Sequence, residues 1–255
     1  MLILLSPTKH LDFESPAPAA QSEPAFCGEA SALADHLRTL SARQLMTSMK
    51  LSSELAECNR SRWQHWRYPH PPSESRAALY AYSGEAFQVM NPKRFNAAQR
   101  RFAQKHLRIL SGLYGLLRPM DAIMPYRLEM AASLKAREIG SLYGFWRERL
   151  NRHLLAELKL LKSPWILNLA SAEYSRAIDL AGLGVQVITP QFRQGAGEGK
   201  PVPSVRAKQA RGGMCAYSIG QALSKAGDLQ NFAEQGYRFR PELSGDSEWV
   251  FSRPG

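Results

Sequence analysis

The sequence predicts one compact α/β domain over residues 1–255, a mixed sheet surrounded by helices, and three observations carry that expectation. A short apolar run, Leu2–Leu5, stops at Ser6-Pro7, as a buried strand ending in a turn does. Two further runs, Trp165–Leu169 and Val185–Thr189, stand a helix length apart, the spacing of a β-α-β unit and hence of a parallel or mixed sheet. In the segment 142–161, Leu142, Trp146, Leu150, Leu154, Leu158 and Leu161 recur at spacings of three and four, one apolar stripe along a helix. An α+β arrangement fits the same pattern. A chain of 255 residues lies near the upper end of what one core serves, which favours one domain over two.

The remaining elements follow in chain order. Residues 14–28 are rich in Pro, Ala, Ser and Glu and read as a surface loop. Helical patterns cover 31–40, 42–50 and 53–66; Tyr68-Pro69-His70-Pro71-Pro72 then forms a stiff linker that cannot be helix. Asn96 is an N-cap for a helix over 97–110, with Phe102 and Ile109 seven apart on its buried side. Ser111-Gly112-Leu113-Tyr114-Gly115 is a turn, and Leu116-Leu117-Arg118-Pro119 opens a short second element. Residues 206–224 read as helix despite Gly212-Gly213. Tyr237–Arg240 and Trp249–Ser252 form a closing hairpin around Ser244-Gly245-Asp246. There is no internal repeat.

Composition narrows the function. An apolar fraction of 44% argues against disorder. No run approaches the roughly 20 apolar residues of a membrane helix, and Leu2–Leu5 lacks the length and basic leader of a signal peptide, so a cytoplasmic protein is expected. Cys27, Cys58 and Cys215, odd in number and far apart, read as reduced thiols. The charge is more informative. Between Glu85 and Asp121 lie Lys93, Arg94, Arg100, Arg101, Lys105, Arg108 and Arg118 and no acid; between Glu198 and Asp228 lie Lys200, Arg206, Lys208, Arg211 and Lys225 and no acid. The other 21 Lys and Arg face all 22 acids, so the whole excess of +11 comes from these two stretches. Charge concentrated in this way points to a polyanion partner more than to solubility.

On the expected 97–110 helix, Arg101, Lys105 and Arg108 fall at i, i+4 and i+7 and form one basic stripe. Next to it, Gly112 and Gly115 would permit a turn whose N–H groups cradle a phosphate. A basic helix, a glycine turn and a second element carrying Arg118 have the logic of a helix-hairpin-helix, which grips DNA backbone, duplex or distorted, without reading bases. Lys208 and Arg211 would extend the surface. A tight turn packed in the core fits the same residues.

A second reading is an enzyme of unknown reaction, with a small-molecule cleft at the strand ends. Ser6, Lys9 and Asp12 follow the first strand, and Asn168, Ser171 and Glu173 follow the strand ending at Leu169; Arg127 could join them. Ser6 and Lys9 have Ser-x-x-Lys spacing, a short pattern that also arises by chance. Turn capping by Ser6 and Asn168, with Lys9 paired to Glu173, is the simpler account of these residues. No Walker loop, G-x-S-x-G or G-x-G-x-x-G occurs, so no cofactor is expected; the six His are scattered, so no metal site is expected.

The stretch His106–Met130, HLRILSGLYGLLRPMDAIMPYRLEM, closely resembles the signature of the YaaA family of bacterial peroxide-stress proteins. The opening MLILLSPTKHLDF, Leu142–Trp146, Asn168–Tyr174 and Ala207–Gly212 are similar to the same family in type and order. His10 stands where a small polar or basic residue is usual, Ala172 where Asp or Asn is common, and Ser83–Phe87 is a worn form of a Gly-Asp-Val-Tyr stretch. The resemblance implies an α/β fold of unusual topology with a basic cleft and DNA binding through a helix-hairpin-helix-like element. It also implies protection against hydrogen peroxide, linked to lower free iron and less Fenton damage.

Overall fold

Leu2–Leu5 form the first strand, β1, and all four side chains are buried, as a strand covered on both faces requires. The computed structural model describes residues 1–134, 139–195 and 197–255. After β1 come α1 (Cys27–Arg38), α2 (Ala42–Met49), α3 (Ser53–His65), β2 (Arg76–Ala77), α4 (Ala78–Ala81) and α5 (Glu85–Met90). A 3-10 turn at Pro92–Arg94 leads to α6 (Ala97–His106), β3 (Leu107–Ser111), β4 (Gly115–Leu117) and β5 (Ala122–Ile123). Then follow α7 (Leu142–Leu161), β6 (Trp165–Leu169), α8 (Ala172–Ser175), β7 (Gln186–Gln194), β8 (Lys200–Pro201), α9 (Ser204–Gly220), β9 (Arg238–Phe239) and β10 (Glu248–Arg253).

The helices start where the chemistry allows. Asn96 accepts from the Gln99 N–H while the Gln99 side chain accepts from the Asn96 N–H, so two orphan donors of α6 are satisfied together. Ser52 and Ser141 cap α3 and α7 in the simpler way. α7 buries Leu142, Trp146, Leu150, Leu154 and Leu158, the stripe the sequence predicts, over the predicted residues.

The main sheet runs β4-β3-β1-β6-β7-β10-β9, with β8 on β7. β1, β3, β6, β7 and β10 are parallel to their neighbours in this core, while β4, β8 and β9 pair antiparallel at its margins. β2 and β5 make a separate two-stranded ribbon. The chain therefore holds the predicted single α/β domain with a mixed sheet. From β1 the chain builds toward β3; from β6 it builds the other way, toward β7 and β10. β1 and β6 lie side by side where the direction reverses, the position at which open α/β sheets leave a crevice beyond their carboxyl ends.

Three expectations are corrected. The helix begun at Asn96 ends at His106, and 107–111 is an interior strand, with Ile3 opposite Leu107 and Leu5 opposite Ile109. A short apolar run next to a helix continues its period by eye, yet here all five residues are buried in the sheet. Residues 97–117 are consequently helix, strand, turn and strand, not a helix-hairpin-helix. Arg108, Gly112 and Gly115 lie buried, out of reach of a phosphate. Gly115 adopts φ +67° at the hairpin turn, and the Gly112 carbonyl accepts the Trp146 indole N–H at 2.9 Å. Finally, the β6–β7 connection holds only α8 and a 3-10 turn rather than one long helix.

Candidate functional site

Leu5 and Leu169 are partners in register at the ends of β1 and β6, and just beyond them the two loops are tied together. The Ser6 hydroxyl accepts the Ser171 backbone N–H at 2.9 Å and donates to the Ser171 hydroxyl at 3.2 Å. Above this junction opens a cleft of about 560 Å³. The loop after β1 lines it with Ser6, Thr8 and Lys9, the start of α5 with Glu85 and Phe87, and the 126–129 segment with Tyr126, Arg127 and Glu129. α8 contributes Glu173 and Tyr174, and α9 contributes Lys208 and Arg211.

α9 reaches the cleft because of one glycine. A Cβ at Gly212 would lie 2.1 Å from the Ala86 carbonyl oxygen, so only glycine lets α9 pack on α5 at this depth. That approach brings the second acid-free stretch to the first-strand loop.

The charges in the cleft are unevenly matched. Glu129 sits between two cations, 2.8 Å from Lys9 Nζ and 3.2 Å from Arg127 Nη2. Glu173 accepts the Ala131 N–H at 3.3 Å, and Glu85 accepts from the Gln209 amide at 2.7 Å. Lys208 and Arg211 meet no carboxylate among the described residues. Arg211 is half-buried, and burial pushes its guanidinium below the usual value, a cost no partner among the described residues offsets. The Nε of Arg127 is buried without an acceptor among the described residues. Tyr126 forms part of the lining, its hydroxyl 2.6 Å from both the Tyr82 hydroxyl and Ser111 Oγ; burial pushes the phenol up to about 12, so it stays neutral and rigid.

Five of the seven residues expected at a strand-end cleft thus converge: Ser6, Lys9, Arg127, Ser171 and Glu173. Asp12 does not. Its carboxylate takes the N–H groups of Ser15 and Glu14 and pairs with Arg76 at 3.3 Å, and the Ser15 hydrogen bonds hold it down to about 2. Asn168 is buried beneath the loop, donating to Thr189 Oγ1 and accepting from the Ala170 N–H, so it shapes the exit of β6 without lining the cleft. Lys9 pairs with Glu129 rather than Glu173, and its side chain is 55% exposed. Glu85 and Phe87 were marked only by the likeness of Ser83–Phe87 to a family stretch, and the packing of α5 on α9 brings them to the cleft.

The expected DNA contacts divide. Lys208 and Arg211 belong to the cleft, and Arg101 and Lys105 are exposed on α6. Arg118 turns to Asp121 at 3.1 Å and donates to the Glu23 carbonyl. Of the twelve Lys and Arg in the acid-free stretches, only Arg108 and Arg118 pair with a carboxylate among the described residues. α6 abuts α9, with Gln99 against Gly220, so the two stretches are neighbours in space. Among the described residues no three His, Cys, Asp or Glu are placed to hold a metal ion, and no helix is long and apolar enough to cross a membrane.

Comparison with known proteins bears on this arrangement. A family model described as peroxide stress protein YaaA matches residues 1–243. A UPF0246 protein of Cellvibrio japonicus is 40% identical over 254 residues, 99% of this chain and 98% of its own. Another from Teredinibacter turnerae is 38% identical over 254 residues, covering 99% of each chain. A third, from Phenylobacterium zucineum, is 40% identical over 255 residues, all of this chain and 95% of its own.

Proposed function

Because the chain belongs to the family of the peroxide stress protein YaaA, we propose that it is a cytoplasmic protein of the hydrogen peroxide response that holds DNA backbone along the layer built by α5, α6 and α9. One observation carries this reading: Lys93, Arg94, Arg101, Lys105 and Lys208 are exposed on adjoining elements with no carboxylate partner among the described residues. Arg101 and Lys105, four apart on α6, repel one another, and a polyanion relieves that repulsion. Contacts of this kind go to phosphates and carry no base information, so binding is independent of sequence.

The same contacts give a route to less iron-dependent damage. Each phosphate neutralised by Lys or Arg releases a condensed counter-ion. Ferrous ions held on DNA are such counter-ions, and moving them off the backbone takes Fenton chemistry away from the sugar.

Charge reversal tests the reading. The double substitution Arg101→Glu, Lys105→Glu should weaken binding to unrelated duplexes alike, by at least tenfold at about 0.1 M salt, in a mobility-shift titration. Equal affinity before and after removes α6 from the interface. A second reading, a ligand-binding or catalytic cleft, is supported by the convergence of Ser6, Lys9, Arg127, Ser171 and Glu173 at the sheet's reversal point.

A further inference from the structure

We propose that the cleft beyond β1 and β6 binds a phosphomonoester of nucleotide size; this specifies the ligand for the cleft reading and is independent of DNA binding through α6. Position comes first. The cleft stands at the carboxyl ends of two neighbouring parallel strands, where the sheet's winding reverses, the place such sheets leave for a ligand. Size comes next. About 560 Å³ is far more than a lone inorganic anion fills and falls within the range of small-molecule sites.

Charge selects the chemistry. Lys208 and Arg211 are three apart on α9, so their side chains share one helix face, and both line the cleft without a carboxylate among the described residues. Arg211 is half-buried, and a cation taken from water without a counter-charge is costly. Arg127 has a buried Nε with no acceptor among the described residues, while its Nη2 is held by Glu129. A dianionic group answers a lysine and an arginine together, as a single carboxylate does not, and phosphate is well matched to the guanidinium fork. The remaining lining suits what a phosphomonoester carries. Ser171 has a hydroxyl with no acceptor among the described residues, Glu173 has spare lone pairs for sugar hydroxyls or an amine, and the nearly buried Phe87 and Tyr174 form part of the wall.

Isothermal titration of the full chain with adenosine monophosphate, inorganic phosphate and adenosine tests this. The monophosphate should bind at least tenfold more tightly than either of its parts. Arg211→Gln should lower its affinity at least tenfold, and Lys208→Gln should lower it by a smaller factor, both with a native circular dichroism spectrum. Lys208→Gln keeps the test open if Arg211→Gln fails to fold. Arg101→Glu, Lys105→Glu should leave monophosphate binding unchanged while weakening DNA, so the two proposals stand or fall separately. No monophosphate binding, equal affinity for adenosine, or indifference to the cleft substitutions overturns the assignment.

Discussion

Arg108 is the most deeply buried cation among the ion pairs of the described residues, its side chain 6% exposed, and its guanidinium grips Glu157 on α7 through Nε and Nη2 at 2.7–2.9 Å. Burial alone would push the Glu157 carboxyl up; His153 Nε2 at 3.6 Å and the hydrogen bonds from Arg108 outweigh it and bring it down to about 2. Removing one partner leaves the other charged and dry. Arg108→Ala should therefore cost about 3–5 kcal/mol in denaturant unfolding, whereas Lys105→Ala on the surface should stay within about 0.5 kcal/mol. The pH dependence has a definite sign. A carboxyl whose folded value lies below its ordinary 4.5 contributes fully above that value, and its contribution is lost as pH falls from about 4.5 toward 2. Thermal unfolding over that window should show the loss in the wild type and a smaller one in Glu157→Gln. None of this was legible in the chain. Arg108 sits in a basic stretch at helical spacing from Arg101 and Lys105, and only the sheet, through a partner 49 residues away, turns it inward.

At the scale of elements, what could be read depended on how long a pattern persists. α7 sustains its apolar period for 20 residues, and its limits agree with the sequence expectation. α6 lasts 10 residues and runs directly into an apolar strand, so its start, marked by Asn96, was readable while its end was not. The contact between α5 and α9 leaves no periodic trace at all; it depends on Gly212 and on the carbonyl of Ala86. Gly212→Ala should lower stability by about 1–3 kcal/mol in a thermal or denaturant melt, because the opposing atom is backbone and cannot rotate away. Unchanged stability would mean that α9 does not need this close approach to hold Lys208 and Arg211 in the cleft.

For the whole molecule, the strand order decides what the separate signals add up to. Ser6, Lys9, Ser171 and Glu173 were recognisable as residues following strands, but that β1 and β6 are neighbours is a fact of topology. Arg127 joins them from a loop with no strand of its own, and Asp12 and Asn168 leave because nearer partners claim them. Charge behaved similarly. The concentration of the +11 excess in two stretches was visible in the chain; that α6 and α9 adjoin, with ten of those twelve cations free of carboxylates among the described residues, was not. The proposed role of this adjoining layer is to meet a nucleic-acid backbone. Its most direct test is the affinity of the wild-type protein for a fluorescent duplex, measured from about 50 to 200 mM salt. With about five phosphate contacts, a plot of log affinity against log salt should fall with a slope of roughly −4 to −5. A slope near zero, or no binding at the low-salt end, contradicts the account.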